Sequence, residues 1–154
     1  MKARLALLCL CALNGFLLGQ DPKPPIAAEP KALQEIKAKA EKGDATAQNN
    51  LGAMYYYGLV VAKDEKEAVK WFRKAAEQGD ADGQLSLALM YTQGRGVAKD
   101  EVEAYKWYLL AAAQGREVAK TSIVGIKHGL TAEQRAQGER RAREWKPQLP
   151  PKAK

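Results

Sequence analysis

Residues 43–78 and 79–114 are one passage written twice: at an offset of 36 they agree at 20 of 36 positions. The first copy runs from Gly43-Asp44-Ala45 through Met54-Tyr55 and Lys63-Asp64-Glu65 to Trp71 and Ala75-Ala76. The second runs from Gly79-Asp80-Ala81 through Met90-Tyr91 and Lys99-Asp100-Glu101 to Trp107 and Ala111-Ala112. A unit this short cannot bury a core alone, so copies must stack, and the product is a solenoid rather than a globule. That architecture favours binding over catalysis.

Each copy reads as two helices. Ala47, Leu51, Met54 and Tyr55 make one apolar face, repeated as Gly83, Leu87, Met90 and Tyr91. Asp44 and Asp80 are placed to cap these helices, and Gly58 and Gly94 to end them with a positive φ. After a short loop, Asp64 with Glu67 and Asp100 with Glu103 have capping-box spacing, the glutamate reaching back to the cap N–H. Ala68, Trp71, Phe72, Ala75 and Ala76 are expected to face inward, as are Ala104, Trp107, Tyr108, Ala111 and Ala112. Each indole then fills the gap between layers, worth about 2–3 kcal/mol from area alone.

The flanks read as modified units. Residues 30–42 form an N-terminal cap helix with Leu33, Ile36 and Ala40 inward and Glu35 in the tryptophan position. Residues 115–146 form a degenerate repeat, with Ile123 and Ile126 in the leucine and methionine slots. Thr131 with Gln134 makes a third capping box, and Arg135, Arg140, Arg141 and Arg143 are expected to give the last helix a basic outer face. Residues 147–154 are a Pro-containing tail.

Lys2 and Arg4 precede the apolar run Leu5–Leu18, and Gly19 is a small residue before a polar stretch, so residues 1–19 read as a cleaved export signal. The apolar run is 14 residues, short of the roughly 20 that a membrane span needs. Residues 20–29, with Pro22, Pro24 and Pro25, read as an extended linker. Both cysteines, Cys9 and Cys11, fall in the leader, which leaves the exported chain without thiol or disulfide chemistry. Nearly all of the net charge of +7 lies at the C-terminal end: residues 116–154 carry 10 basic and 4 acidic side chains. Such an end either attracts an acidic partner, anionic polymer or membrane surface, or is simply a solvated end that keeps the chain soluble.

The strings Gly-Asp-Ala-x-Ala-Gln-x-x-Leu-Gly-x-Met-Tyr at 43–55 and Glu-Ala-x-x-Trp-Phe-x-Lys-Ala-Ala-Glu-Gln-Gly at 67–79 resemble the Sel-one-like repeat (SLR), a relative of the tetratricopeptide repeat. The resemblance covers about residues 30–145. It implies an all-α fold, a short right-handed α-solenoid of helix-turn-helix units whose first helices line a concave face. It also implies an adaptor that assembles protein complexes, many bacterial members being exported. One cysteine-rich branch is associated with β-lactams; this chain lacks those cysteines. Val60 stands where Gly96 and the family pattern have glycine, so the first loop is expected to turn without that freedom.

No catalytic residue, cofactor or metal is expected. His128 is the lone histidine, and the runs Asp64-Glu65-Glu67 and Asp100-Glu101-Glu103 are explained by capping rather than by paired catalytic carboxylates. The candidate partner-binding stripe comes from positions where the copies differ. These are Thr46, Asn49, Ala53, Tyr56 and Tyr57 in the first and Asp82, Leu85, Leu89, Thr92 and Gln93 in the second. Steps of three, four and seven put each set on one helical stripe, which in the repeat family corresponds to the concave face.

The expected function is therefore an exported adaptor, periplasmic or secreted, that binds a protein or peptide in envelope-associated regulation or signalling. Nucleic acid is not an expected partner, membrane contact is expected only through the export signal, and self-association is possible. The rival readings are a cell-envelope enzyme and a basic-patch binder of an anionic polymer or membrane surface.

Overall fold

A computed structural model of the protein describes residues 30–148. The expected leader at 1–19, the linker at 20–29 and residues 149–154 of the tail lie outside the described residues. Among the described residues there are seven helices and no strand: α1 (Lys31–Glu41), α2 (Ala45–Tyr57), α3 (Glu65–Glu77), α4 (Ala81–Gln93), α5 (Glu101–Ala113), α6 (Glu117–Lys127) and α7 (Ala132–Glu144). Each packs on the next from α1 to α6, while α7 turns back onto α5. The fold is an all-α solenoid.

Between the two full repeats the stack is tighter on one side. α2 packs directly on α4, whereas α3 and α5 scarcely touch. Beyond the two full repeats the crowding changes sides, α5 packing on α7 while α4 and α6 scarcely touch.

Local chemistry sets the helix ends. Asp44 Oδ1 accepts from the Ala47 N–H and Asp80 Oδ1 from the Gly83 N–H, each at 2.7 Å. Gly58 and Gly94 close α2 and α4 in the left-handed region, at φ 71° and 66°. Thr131 and Gln134 form a reciprocal capping box on α7.

The boxes expected on α3 and α5 are only half formed. Asp64 and Asp100 do cap, accepting from Glu67 N–H at 3.0 Å and Glu103 N–H at 2.9 Å. The glutamates do not reach back, because the cap N–H groups are already taken by the Tyr55 and Tyr91 carbonyls. Glu67 turns to Lys70 instead, and Glu103 to Lys106 and Arg141.

The core runs as one cluster from α3 to α6, with a smaller one between α1 and α2. Two buried glutamines pin the layers, a feature that apolar periodicity does not reveal. Gln48 Nε2 donates to the Ala40 carbonyl at 3.0 Å, and its Oε1 accepts from Gln78. Gln84 repeats this with the Ala76 carbonyl and Gln114. Both side chains are satisfied, so their burial costs little.

The two tryptophans are not equivalent. Trp107 is 2% exposed, inside the main cluster, with the Trp145 ring edge-on at 6.0 Å. Trp71 is only partly buried against the smaller cluster, under the Lys74 ammonium at 4.1 Å. It sits beside the single cap helix α1, and a cap offers less to pack against than a full repeat.

α7 docks on α5 through Gly138, where a Cβ would stand 2.7 Å from the Tyr105 ring. The Tyr105 hydroxyl donates to Glu139, and Arg141 pairs with Glu103. Arg141 is therefore half-buried against α5, unlike the exposed Arg140 and Arg143. Beyond α7 the chain runs back across the stack. Trp145 and Pro147 rest against Gly79, and the Gln148 N–H donates to the Glu77 carbonyl at 2.6 Å.

Candidate protein-binding face

The stripe residues lie on α2 and α4, where the two helices meet. Asn49 accepts from Ser86 at 3.1 Å, and the Tyr56 hydroxyl donates to Gln93 at 3.4 Å, so the two stripes form one surface. Thr46, Tyr57, Leu89 and Gln93 are exposed; Asn49, Ala53, Tyr56, Asp82, Leu85 and Thr92 are half-buried. Ala53, Tyr56 and Leu85 also pack on the core, and Asp82 is paired with Arg116.

The adjacent tyrosines thus differ. Tyr57 is 67% exposed, with its ring edge-on to Tyr56 at 4.9 Å. Tyr56 is held by Arg95, whose guanidinium lies over the ring at 4.5 Å and donates to the hydroxyl. Arg95 also bonds Glu65 through Nε at 2.9 Å and through Nη2. The Arg95 hydrogen bond holds the Glu65 carboxyl below its ordinary pKa, and Glu65 in turn raises that of Arg95. This triad fastens the second loop to the first repeat.

Arg95 and Ser86 escaped the sequence reading. Both differ between copies (Leu59 and Asn50 are their counterparts), but neither falls on the stripe that helical steps pick out. Extending the comparison into the loop would have found Arg95.

Val60 adopts φ 68°, matching Gly96 at 66°. The first loop therefore makes the same turn as the second and does so with a β-branched residue, rather than finding another path. Val60 and its neighbour Leu59 are exposed.

Large apolar side chains in water are unevenly placed. Among the described residues, Tyr57, Leu59, Val60, Leu89, Val118 and Val124 are the exposed ones, all on α2, α4, α6 or the loop after α2. None lies on α3, α5 or α7. His128 is exposed at the end of α6. No group of three His, Cys, Asp or Glu among the described residues is arranged to hold a metal.

The Sel1 repeat family model matches residues 45–80 and 81–115. A protective antigen present in uropathogenic Escherichia coli strains, displaying an SLR fold, is 36% identical over 74% of this chain and 25% of its own, with a TM-score of 0.70. A Sel1 repeat protein from Oxalobacter formigenes is 37% identical over 62% of this chain and 28% of its own, with a TM-score of 0.61. The chain thus spans about a quarter of the length of these two proteins. Helicobacter pylori cysteine rich protein B is 32% identical over 59% of this chain and 68% of its own, with a TM-score of 0.57. A search of curated protein sequences gives no match. With two matched repeats, and a helical stack shared with a relative it largely spans, the chain belongs to the Sel1 repeat family.

Proposed function

We propose that this chain is an exported adaptor that binds an extended segment of another protein across the face formed by α2, α4 and α6. Sel1 repeat proteins are generally protein-interaction adaptors, typically non-enzymatic scaffolds. The observation that carries the reading is the placement of exposed apolar side chains on the first helices and the loop after α2, with α3, α5 and α7 free of them. Apolar groups held in water on one side of a monomer mark an interaction surface. Tyr57 adds a rigid aromatic anchor with a polar tip. What supports export is the order Lys2, Arg4, Leu5–Leu18, Gly19 at the N-terminus. An envelope-associated or secreted role is part of the same proposal.

The test is selection of peptide ligands from a display library on the full chain, followed by retesting on Tyr57→Ser with Leu89→Ser. Tyr57 is 67% exposed and Leu89 37%, so the double variant is expected to stay folded with its melting temperature lowered by a few degrees, while binding falls about tenfold or more. Ligands that bind the double variant as well as the parent overturn this reading. If their binding instead collapses with added salt and depends on Arg140 and Arg143, the basic end is the binding surface.

A further inference from the structure

The first repeat holds a guanidinium that its own chain supplies, and the second repeat has the same place without one. In the first, Arg95 reaches back from the loop after α4 to the Glu65 carboxylate and the Tyr56 ring and hydroxyl. Moving on by 36 residues turns Glu65 into Glu101, Tyr56 into Thr92 and Phe72 into Tyr108. The counterpart of Arg95 is Thr131, which is already the N-cap of α7 because the third loop is short. Glu101 keeps the lysine that Glu65 also has, with Lys99 at 2.7 Å matching Lys63 at 3.3 Å. Among the described residues no guanidinium reaches it.

A cavity of about 350 Å³ stands there, with Thr92, Glu101, Tyr108, Ser122, Gly125 and Gly129 among its lining. It exists for two reasons. α4 and α6 scarcely touch, where α2 and α4 pack. Threonine also replaces the bulk of the Tyr56 ring. The phenol is moved rather than lost, since Tyr108 brings a hydroxyl that Phe72 lacks, 3.3 Å from Thr92 Oγ1. Gly129 lies close under the carboxylate: a Cβ there would stand 3.2 Å from Glu101 Oε2. The cavity adjoins the stripe, because Thr92 belongs to it and Gly125 on α6 and Gly129 just beyond that helix continue its register.

We propose that this cavity is a specificity site for an arginine side chain of the bound segment, with Glu101 pairing the guanidinium and the Thr92 and Tyr108 hydroxyls beside it. A planar guanidinium can bond a carboxylate and a neighbouring hydroxyl at once, as Arg95 does in the first repeat; an ammonium is a point charge without that fork. Lys99 does not preclude the pairing, because Lys63 and Arg95 share Glu65. The proposal rests on the reading of this face as peptide-binding.

The test is amide NMR of the full chain titrated with Nα-acetyl-arginine methylamide and with its uncharged citrulline analogue. The arginine probe is expected to shift the Glu101, Gly125 and Gly129 amides saturably, and the citrulline probe to leave them unmoved. Glu101→Gln is expected to weaken the response about tenfold. Gly125→Leu is expected to abolish it by filling the cavity. A Cβ at Gly125 has open space around it, so the substitution starts without a backbone clash, and the dispersion of the amide spectrum checks that the variant is folded. Equal shifts from both probes, shifts centred elsewhere, or an undiminished response in both variants overturn the site. Library ligands that need Tyr57 and Leu89, with no response to the arginine probe, overturn this site and leave the groove standing. A probe response with no segment captured overturns the groove instead.

Discussion

Val60 and Gly96 hold the same left-handed backbone, φ 68° and 66°, in loops 36 residues apart, but only Gly96 is pressed against another layer. A Cβ on Gly96 would lie 2.1 Å from the Glu65 carbonyl oxygen, while Val60 is 59% exposed. A β-branched residue in that region costs of order 1–3 kcal/mol. Val60→Gly is therefore expected to raise stability by about 1 kcal/mol, the relieved strain being partly offset by the freer unfolded chain. Gly96→Val is expected to cost more than the strain alone, because the loop must lift off α3. Urea unfolding of the two variants checks both signs.

The Arg95–Glu65 pair should make loop docking depend on acid. The folded-state carboxyl is held below its ordinary pKa, chiefly by the Arg95 hydrogen bond. Its stabilising effect is thus full above the ordinary glutamate range and is lost as pH falls through the lowered folded value. Urea midpoints of the parent and Arg95→Met are expected to differ at neutral pH and to converge in that acid window. In the variant, the Glu65 carboxyl is expected to titrate higher. A gap that ignores pH would contradict the pairing.

The tryptophans should separate in mutation although sequence makes them twins. Trp107→Ala empties a buried site and removes the Trp145 contact, at a cost of about 3–5 kcal/mol. Trp71→Ala is expected to cost less than half as much, since that indole is only partly buried beside α1. Thermal unfolding of the two single variants gives the comparison.

Tyr56 and Tyr57 should part in the same way. Tyr57→Ala is expected to leave the melting temperature within a degree or so, surface changes being worth about 0.5 kcal/mol or less. Tyr56→Ala removes the ring under Arg95 and the hydroxyl it bonds, and is expected to cost about 1–2 kcal/mol. Only Tyr57 can then report partner binding free of any change in the fold.

Much of the fold was legible because repetition doubles every signal. Asp44 and Asp80, Gly58 and Gly94, and the alanines of α3 and α5 all do what their spacing implied. What stayed hidden depends on three-dimensional neighbours. The N–H groups of Asp64 and Asp100 are taken by carbonyls of Tyr55 and Tyr91, nine residues back in sequence, so their glutamates were free for other work. Gln48 and Gln84 break the apolar pattern they stabilise. Trp71 differs from Trp107 only through what lies beside it. For the candidate face, the differing positions led to α2 and α4. Arg95 lay in a loop where helical steps say nothing, and the cavity beside Glu101 arises from the loose contact of α4 with α6 and from Thr92 in the place of Tyr56.

The backbone beyond α7 is fastened at Gln148 to the last turn of α3, well away from the helix that precedes it. Tension applied at that end therefore meets the joint between α3 and α4 before it reaches α7. A bound cargo tugging on this terminus would load the middle of the molecule, so under force the stack behaves as a buckled strap rather than an open zipper.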